Sequence, residues 1–385
     1  MTDTAEALPD RIARLIGGYD SQGIHRTGTA VDNASADWLA REIRAIGLAP
    51  EKPSFALSRV DVVRAEALIG STVLTGLPRF DAPPTGPKGV TGALGPIGGD
   101  TPLGLVVTDP RSNPETEELR EKFGHRAIIQ VTDGGMPGLC PINADRFTDP
   151  FGPPLLQVSN EHTAALEDAA AAGATVEVTV ETERYDSRAF NVTARISGRD
   201  PDLPPLIVMT PRSGWWSCAS ERGGGLVVFC EIMRGLAEAE PARDVIFTAN
   251  SGHELGHLGL MQFIEDNPGI AADAHCWIHL GANFGGAVAP RVRFQAANEE
   301  LRAAGLNAFA SEGLTPDWET PVGERPGGEA REIFDHGGRY VSLLGGNGLF
   351  HNPTDHWPDA IDVDKTAKLA RAFSTLAREL AGVSE

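Results

Sequence analysis

The stretch from Pro204 to Asn283 constrains the fold most. Apolar PPLIVMT, a helix over about Gly225 to Ala239, apolar RDVIFTAN, a second helix beginning near Leu255 and apolar HCWIHLGAN follow one another with little between them. Strands that recur after each helix predict a mostly parallel sheet, because each crossover lays its helix back over the strands. Ligands in such sheets gather beyond the carboxyl ends of the strands, so the polar residues just after each strand are the first candidates for chemistry. Three of these ends carry PRSGWWSCASERGGG, SGHELGH and LGANFGG, and a fourth cluster, GLFHNPTDHWPD, lies near the C-terminus. Loops that gather His, Glu and Asp are how a fold assembles metal ligands.

Upstream, two helical patterns fill Leu8 to Leu48. The second places Trp38, Leu39, Ile43 and Ile46 at three- and four-residue spacing and ends at Gly47. Phe55 to Leu77 alternates apolar and polar residues as strands do, and DAPPTGPKG is turn-rich. From Gly89 to Thr182 the short segments LGLVVTD, AIIQVTD, LLQVS and ATVEVTVET, with the helical EHTAALEDAAAAG among them, suit a compact inserted module. A chain of 385 residues is long for one core. The expected division is 1–85 and 186–385 for the main α/β domain, with 86–185 inserted. The expected fold is a mixed, largely parallel sheet flanked by helices, carrying a β-rich insertion.

Composition narrows the partners. The formal net charge is -20, from 53 acidic and 33 basic residues spread along the chain, a field that repels phosphate backbones and anionic lipid. Neither nucleic acid nor membrane is expected as a partner, and no apolar run approaches the ~18 residues of a membrane span. Homo-oligomerisation is left open. Cys140, Cys218, Cys230 and Cys276 form no CxxC pair, and the N-terminus carries acids where a secretion signal carries bases, so a cytoplasmic setting is expected. No GxSxG occurs, and the GGG at Gly223 to Gly225 lacks the Lys-Ser/Thr of a phosphate loop, which leaves close helix packing as its role.

The order of elements, FTANSGHELGHLGL after a strand and FHNPTDHWPDAID near the C-terminus resemble the zinc aminopeptidase and glutamate carboxypeptidase family, and Gly89 to Thr182 resembles its protease-associated insertion. The resemblance implies a zinc-exopeptidase, phosphorylase/hydrolase-like fold and a divalent metal, zinc first, with manganese or iron also suited. It covers nearly the whole chain, yet the motifs carry over unevenly. The family's His-x-Asp falls at Pro211 and Ser213, its bridging aspartate at Glu221 followed by Arg222, its Glu-Glu pair at His253-Glu254, and the aspartate of its first zinc site at Gly281. Its late histidine is kept as His351, with Asp355 following.

What the resemblance then implies is one ion held by Glu221, Glu254 and His351, with His253 in the place of the general base beside Glu254. The expected activity is metal-dependent hydrolysis of an amide or peptide-like bond in a small molecule or short peptide. His257, His279, Asp355 and His356 are further candidates for metal or substrate, Arg212 and Arg222 for clamping a carboxylate, and Trp215 for an aromatic wall. Each also has a plain structural reading, as a hydrogen-bonded histidine, a solvated arginine or a packed indole. Two other functions compete. One is a non-catalytic binding or assembly module on the same fold; the other is a zincin-like protease using HExxH at His253 to His257, which needs a helix that Gly252 and Gly256 oppose.

Overall fold

The computed structural model describes residues 6–111, 113–122 and 124–384. Helices α1 (Leu8–Asp20) and α2 (Ala30–Ile46) lead into β1 (Ser54–Ile69), β2 (Thr72–Thr75), β3 (Leu77–Pro78), β4 (Val90–Pro96), β5 (Leu103–Thr108), α3 (Asn113–Lys122), β6 (Ala127–Thr132), β7 (Leu155–Ser159), α4 (Thr163–Ala171) and β8 (Thr175–Phe190). The second half holds β9 (Val192–Ile196), β10 (Leu206–Pro211), α5 (Ala219–Ala237), β11 (Val245–Asn250), α6 (Leu258–Asp266), α7 (Ile270–Asp273), β12 (Cys276–Leu280) and β13 (Arg291–Ala296). It ends with α8 (Glu299–Ser311), β14 (Trp318–Glu319), α9 (Ala330–Asp335), β15 (Tyr340–Gly346) and α10 (Val363–Leu380).

The second half builds a seven-stranded mixed sheet in the order β14-β13-β15-β12-β10-β11-β9. Its centre is parallel, β10 lying between β11 and β12 and β12 beside β15, while β9 and β13 pair antiparallel with β11 and β15. Strands β10 and β12 are buried along their length, as strands covered on both faces must be. Leu206 and Val208 point to a core shared with α1, α2, α5, α8 and α10; Ile207 and Met209 point to one shared with α6, α7 and α9. That period of two divides the layers.

Helix α5 begins at Ala219, six residues before the expected start, because Gly223 to Gly225 lie inside it and let it sink onto the sheet. A methyl on Gly225 would stand 2.6 Å from Thr210 Oγ1 and 3.0 Å from Leu280 O. The helix start is capped from afar: the Asp355 carboxylate accepts from Ser220 N at 2.7 Å and Glu221 N at 3.0 Å. The helix expected near Leu255 starts at Leu258 instead. Before it come a 3₁₀ turn at His253–Leu255 and two left-handed residues, Gly256 (φ 83°) and His257 (φ 60°).

Residues 54–190 form a second sheet of eight strands, ordered β2-β1-β8-β4-β5-β6-β7-β3. Strands β1 and β8 pair antiparallel from Ser54↔Phe190 to Ile69↔Val176, with a bulge between Val62 and Arg64. This sheet takes strands from residues outside the expected 86–185 as well as within it. Leu57, Phe80, Ala144, Phe147, Trp215 and Leu255 form an apolar cluster that joins it to the main domain. No helix among the described residues is long and apolar enough to cross a membrane.

Candidate functional site

A cleft of about 830 Å³ opens beyond the carboxyl ends of β11, β12 and β15. His253, His257, Asn283 and His351 line its floor, and Pro110, Gly134, Ile142 and Asn143 of the β-rich unit form one wall. Its position follows from the parallel centre of the sheet, since the loops after β11, β12 and β15 all leave on this side. Backbone contact fixes the wall, since Ala144 N donates to Glu254 O at 2.8 Å.

Glu254, on the turn after β11, is fully buried and its oxygens are engaged. Oε1 accepts from Thr27 N at 2.8 Å and Thr27 Oγ1 at 2.6 Å, and Oε2 accepts from Ser213 Oγ at 2.7 Å. Ser213 Oγ in turn accepts from Gly252 N at 2.8 Å. Three charge-assisted hydrogen bonds tie the carboxylate to the β10 and α1–α2 loops. Thr27 was not singled out from the sequence and Ser213 only as the place of a missing family aspartate, and only the third dimension brings them to Glu254.

Glu221 and His351 do meet. His351 Nε2 lies 3.3 Å from Glu221 Oε1, while Nδ1 faces Pro141 O at 2.5 Å. The same Oε1 is 2.8 Å from Arg222 Nη2, and Arg222 Nε donates to Ser213 O at 2.6 Å. Burial, the strongest influence on Glu221, works against its charge; the Arg222 guanidinium and then His351 outweigh it and hold the carboxylate down at about 2. A fixed cation therefore sits inside the acidic hollow. Asp355 is spent on capping α5, and burial above all pushes its pKa up to about 7.

A second cluster lies on the same floor. His253 Nδ1 is 3.2 Å from Glu329 Oε1, His257 Nδ1 is 2.9 Å from Glu332 Oε1, and His279 Nδ1 is 2.8 Å from Ser342 Oγ. The His253 and His257 rings are 4.8 Å apart. Burial, followed by the charge of Arg222, pushes His253 well below the usual imidazole range, and burial brings His279 to about 3. Burial raises Glu329 to about 8, so a neutral acid faces a neutral imidazole. Glu332 goes the other way, to about 2: burial opposes its charge, but His257 and Arg331 prevail. Glu329 and Glu332 were absent from the sequence reading, although their spacing of three at the start of α9 is a signal that they share a face.

Other candidates are placed elsewhere. Arg212 is fully buried, with Nη1 2.9 Å from Asp32 Oδ1 and bonded to Asp32 O, so it fastens α2 and cannot clamp a ligand. Trp215 packs on Phe80 and donates from Nε1 to Asn143 Oδ1 at 3.0 Å, outside the cleft lining. His356 is exposed beside Asp20. His257 lines the cleft. The non-helical backbone at Gly256 and His257 removes the geometry that the HExxH reading requires.

The metal centre that the fold implies can be tested against these donors. A catalytic zinc takes three protein ligands and keeps a position open. Glu254 is engaged by hydroxyl and amide donors, Glu221 Oε1 lies 2.8 Å from a fixed guanidinium although neither that oxygen nor His351 Nε2 accepts or donates a well-formed hydrogen bond, and a side chain at 281 would start 2.7 Å from His279 Cε1 and 2.4 Å from Leu344 Cδ2. Among the described residues no three His, Cys, Asp or Glu side chains converge as a cation needs. The residues do not fit the two-ion centre, and of the expected single-ion set only Glu221 and His351 come together.

The fold itself is that of the zinc aminopeptidases. A zinc aminopeptidase from Bacillus subtilis superposes with a TM-score of 0.78 at 15% identity, covering 98% of this chain and 95% of its own. An aminopeptidase from an Aneurinibacillus strain gives 0.74 at 14% identity over 98% and 95%. A peptidase M28 precursor from Shewanella amazonensis gives 0.73 at 15% over 99% and 96%. No family model and no curated protein matches the sequence. The likeness is one of architecture, and function must be argued from the site.

Proposed function

We propose that this chain is a ligand-binding protein on the aminopeptidase scaffold, its cleft kept open and the seat of the metal taken by an internal ion pair. The observation that carries this reading is Arg222, buried with its guanidinium 2.8 Å from Glu221. A divalent ion at the same carboxylate would face that fixed positive charge at close range in a poorly screened interior. The β-rich unit is read as a protease-associated-like insertion that walls the cleft, the ligand as a small molecule or short peptide, and the setting as cytoplasmic. Four unpaired, buried cysteines fit a reducing compartment.

A second reading, a metal-dependent hydrolase of amide bonds, is favoured by one observation. His253 and His257 reach the cleft with Nδ1 backed by Glu329 and Glu332, the arrangement by which carboxylates orient metal-binding imidazoles. Amino-acid p-nitroanilides and N-acyl amino acids, assayed with added zinc, manganese or iron(II), separate the two. Turnover should stay at the buffer rate with every metal. Metal-stimulated hydrolysis that disappears in His253→Ala would establish the second reading in place of the first.

A further inference from the structure

The cleft carries positive charge that so acidic a chain does not lead one to expect. Among the described residues its lining includes Arg111, Arg291, Arg293 and Arg331 against a single carboxylate, Asp145, in a chain of net charge -20. Two of the four arginines are matched already. Arg331 lies 3.1 Å from Asp145 Oδ1 and 3.0 Å from Glu332 Oε1, and Arg111 lies 2.7 Å from Asp109 Oδ2.

Arg291 and Arg293 differ. They stand two residues apart on β13 and so share a face, and both guanidiniums lie over the Trp318 ring, 4.5 and 5.9 Å from its centroid. Arg293 donates from Nε and Nη2 to the neutral Thr320 hydroxyl at 2.9 and 2.6 Å. Neither forms an ion pair with a carboxylate among the described residues; Glu324 lies close enough to act on Arg293 through its charge but not to pair with it. Two like charges on one strand face repel, and stacking on an indole engages the guanidinium faces, so that with Thr320 holding Nε and Nη2 of Arg293 its Nη1 and the N–H edges of Arg291 remain for an acceptor. Room for that acceptor exists because Gly327 lacks a side chain: a methyl there would stand 3.0 Å from Arg293 Nη1.

We propose that the cleft recognises a small molecule bearing an oxyanion, carboxylate or phosphate, seated on the N–H edges of Arg291 and Arg293, with its remainder toward His253 and Asn283. Planar guanidiniums hold such groups by paired, charge-assisted hydrogen bonds. The inference rests on reading the cleft as a binding site and does not depend on whether its floor holds a metal.

Calorimetry on the full chain tests it with three probes: N-acetyl-L-glutamate, inorganic phosphate and the neutral diamide of N-acetylglutamate. One of the anions should bind saturably and more weakly as salt rises, and the diamide should give no heat; the tighter anion identifies the group. Arg291→Gln with Arg293→Gln should weaken that binding roughly 10- to 100-fold. Should the double variant fail to fold, Arg291→Gln alone, at an exposed position, carries the same expectation at roughly tenfold. Failure of both anions to bind, equal binding of the diamide, or unchanged affinity in the variants would overturn the proposal. Metal-stimulated hydrolysis with anion selectivity intact would remove only the metal-free reading, and loss of anion binding without any hydrolysis only this one.

Discussion

Arg222 is the residue on which the account turns, because it sits in the first turn of α5, where a helix start repels positive charge, and still is wholly buried. Only a partner inside the fold makes that tolerable, and Glu221 is that partner. Arg222→Met strands a buried carboxylate and should cost about 3–5 kcal/mol in urea unfolding, most of it restored by adding Glu221→Gln. Acid gives an independent check. The carboxyl of Glu221 is held at about 2 in the folded chain against an ordinary value of 4.5. Its contribution, on the order of 3 kcal/mol, is therefore present above pH 4.5 and lost as pH falls from there toward 2. The double variant should lose less stability across that window than the natural chain. An equal loss would show that the pair is not what holds Glu221 ionised.

At the scale of elements, α5 shows why small residues stand where helix propensity argues against them. Gly225→Ala should destabilise by about 1–3 kcal/mol, because the methyl would meet Thr210 and the Leu280 carbonyl. Gly235→Ala in the same helix meets nothing within 4 Å and should stabilise by about 0.5–1 kcal/mol. Melting curves of the two variants should move in opposite directions. This override also marks the limit of what the sequence discloses. Strands β10, β11 and β12 were legible because central parallel strands are largely apolar runs, and so were β5 to β7 of the eight-stranded sheet. The start of α5 was not, since tertiary packing against β10 and β12 compensates three poor helix formers. Residues 291–335 were left unassigned. Strand β13 places arginines where an apolar face would announce it, and α9 spans barely more than one turn, yet these elements supply Arg291, Arg293, Glu329 and Glu332.

For the molecule as a whole, the architecture is shared with known enzymes while the chemistry proposed for it is not. The overall architecture is that of zinc aminopeptidases over nearly the whole chain. Glu221, Glu254 and His351 were named from the sequence through the motifs it resembles. What could not be read there was the set of partners that occupy them: Thr27 and Ser213 on Glu254, Arg222 on Glu221, and His279 in the space beside Gly281. Each comes from a distant segment or turns inward only once the helix forms. Zinc binding decides the matter directly, by elemental analysis of chelator-free protein together with zinc calorimetry. The account predicts no stoichiometric metal and no saturable heat. One or more zinc ions per chain, lost on replacing His351 with alanine, would contradict it.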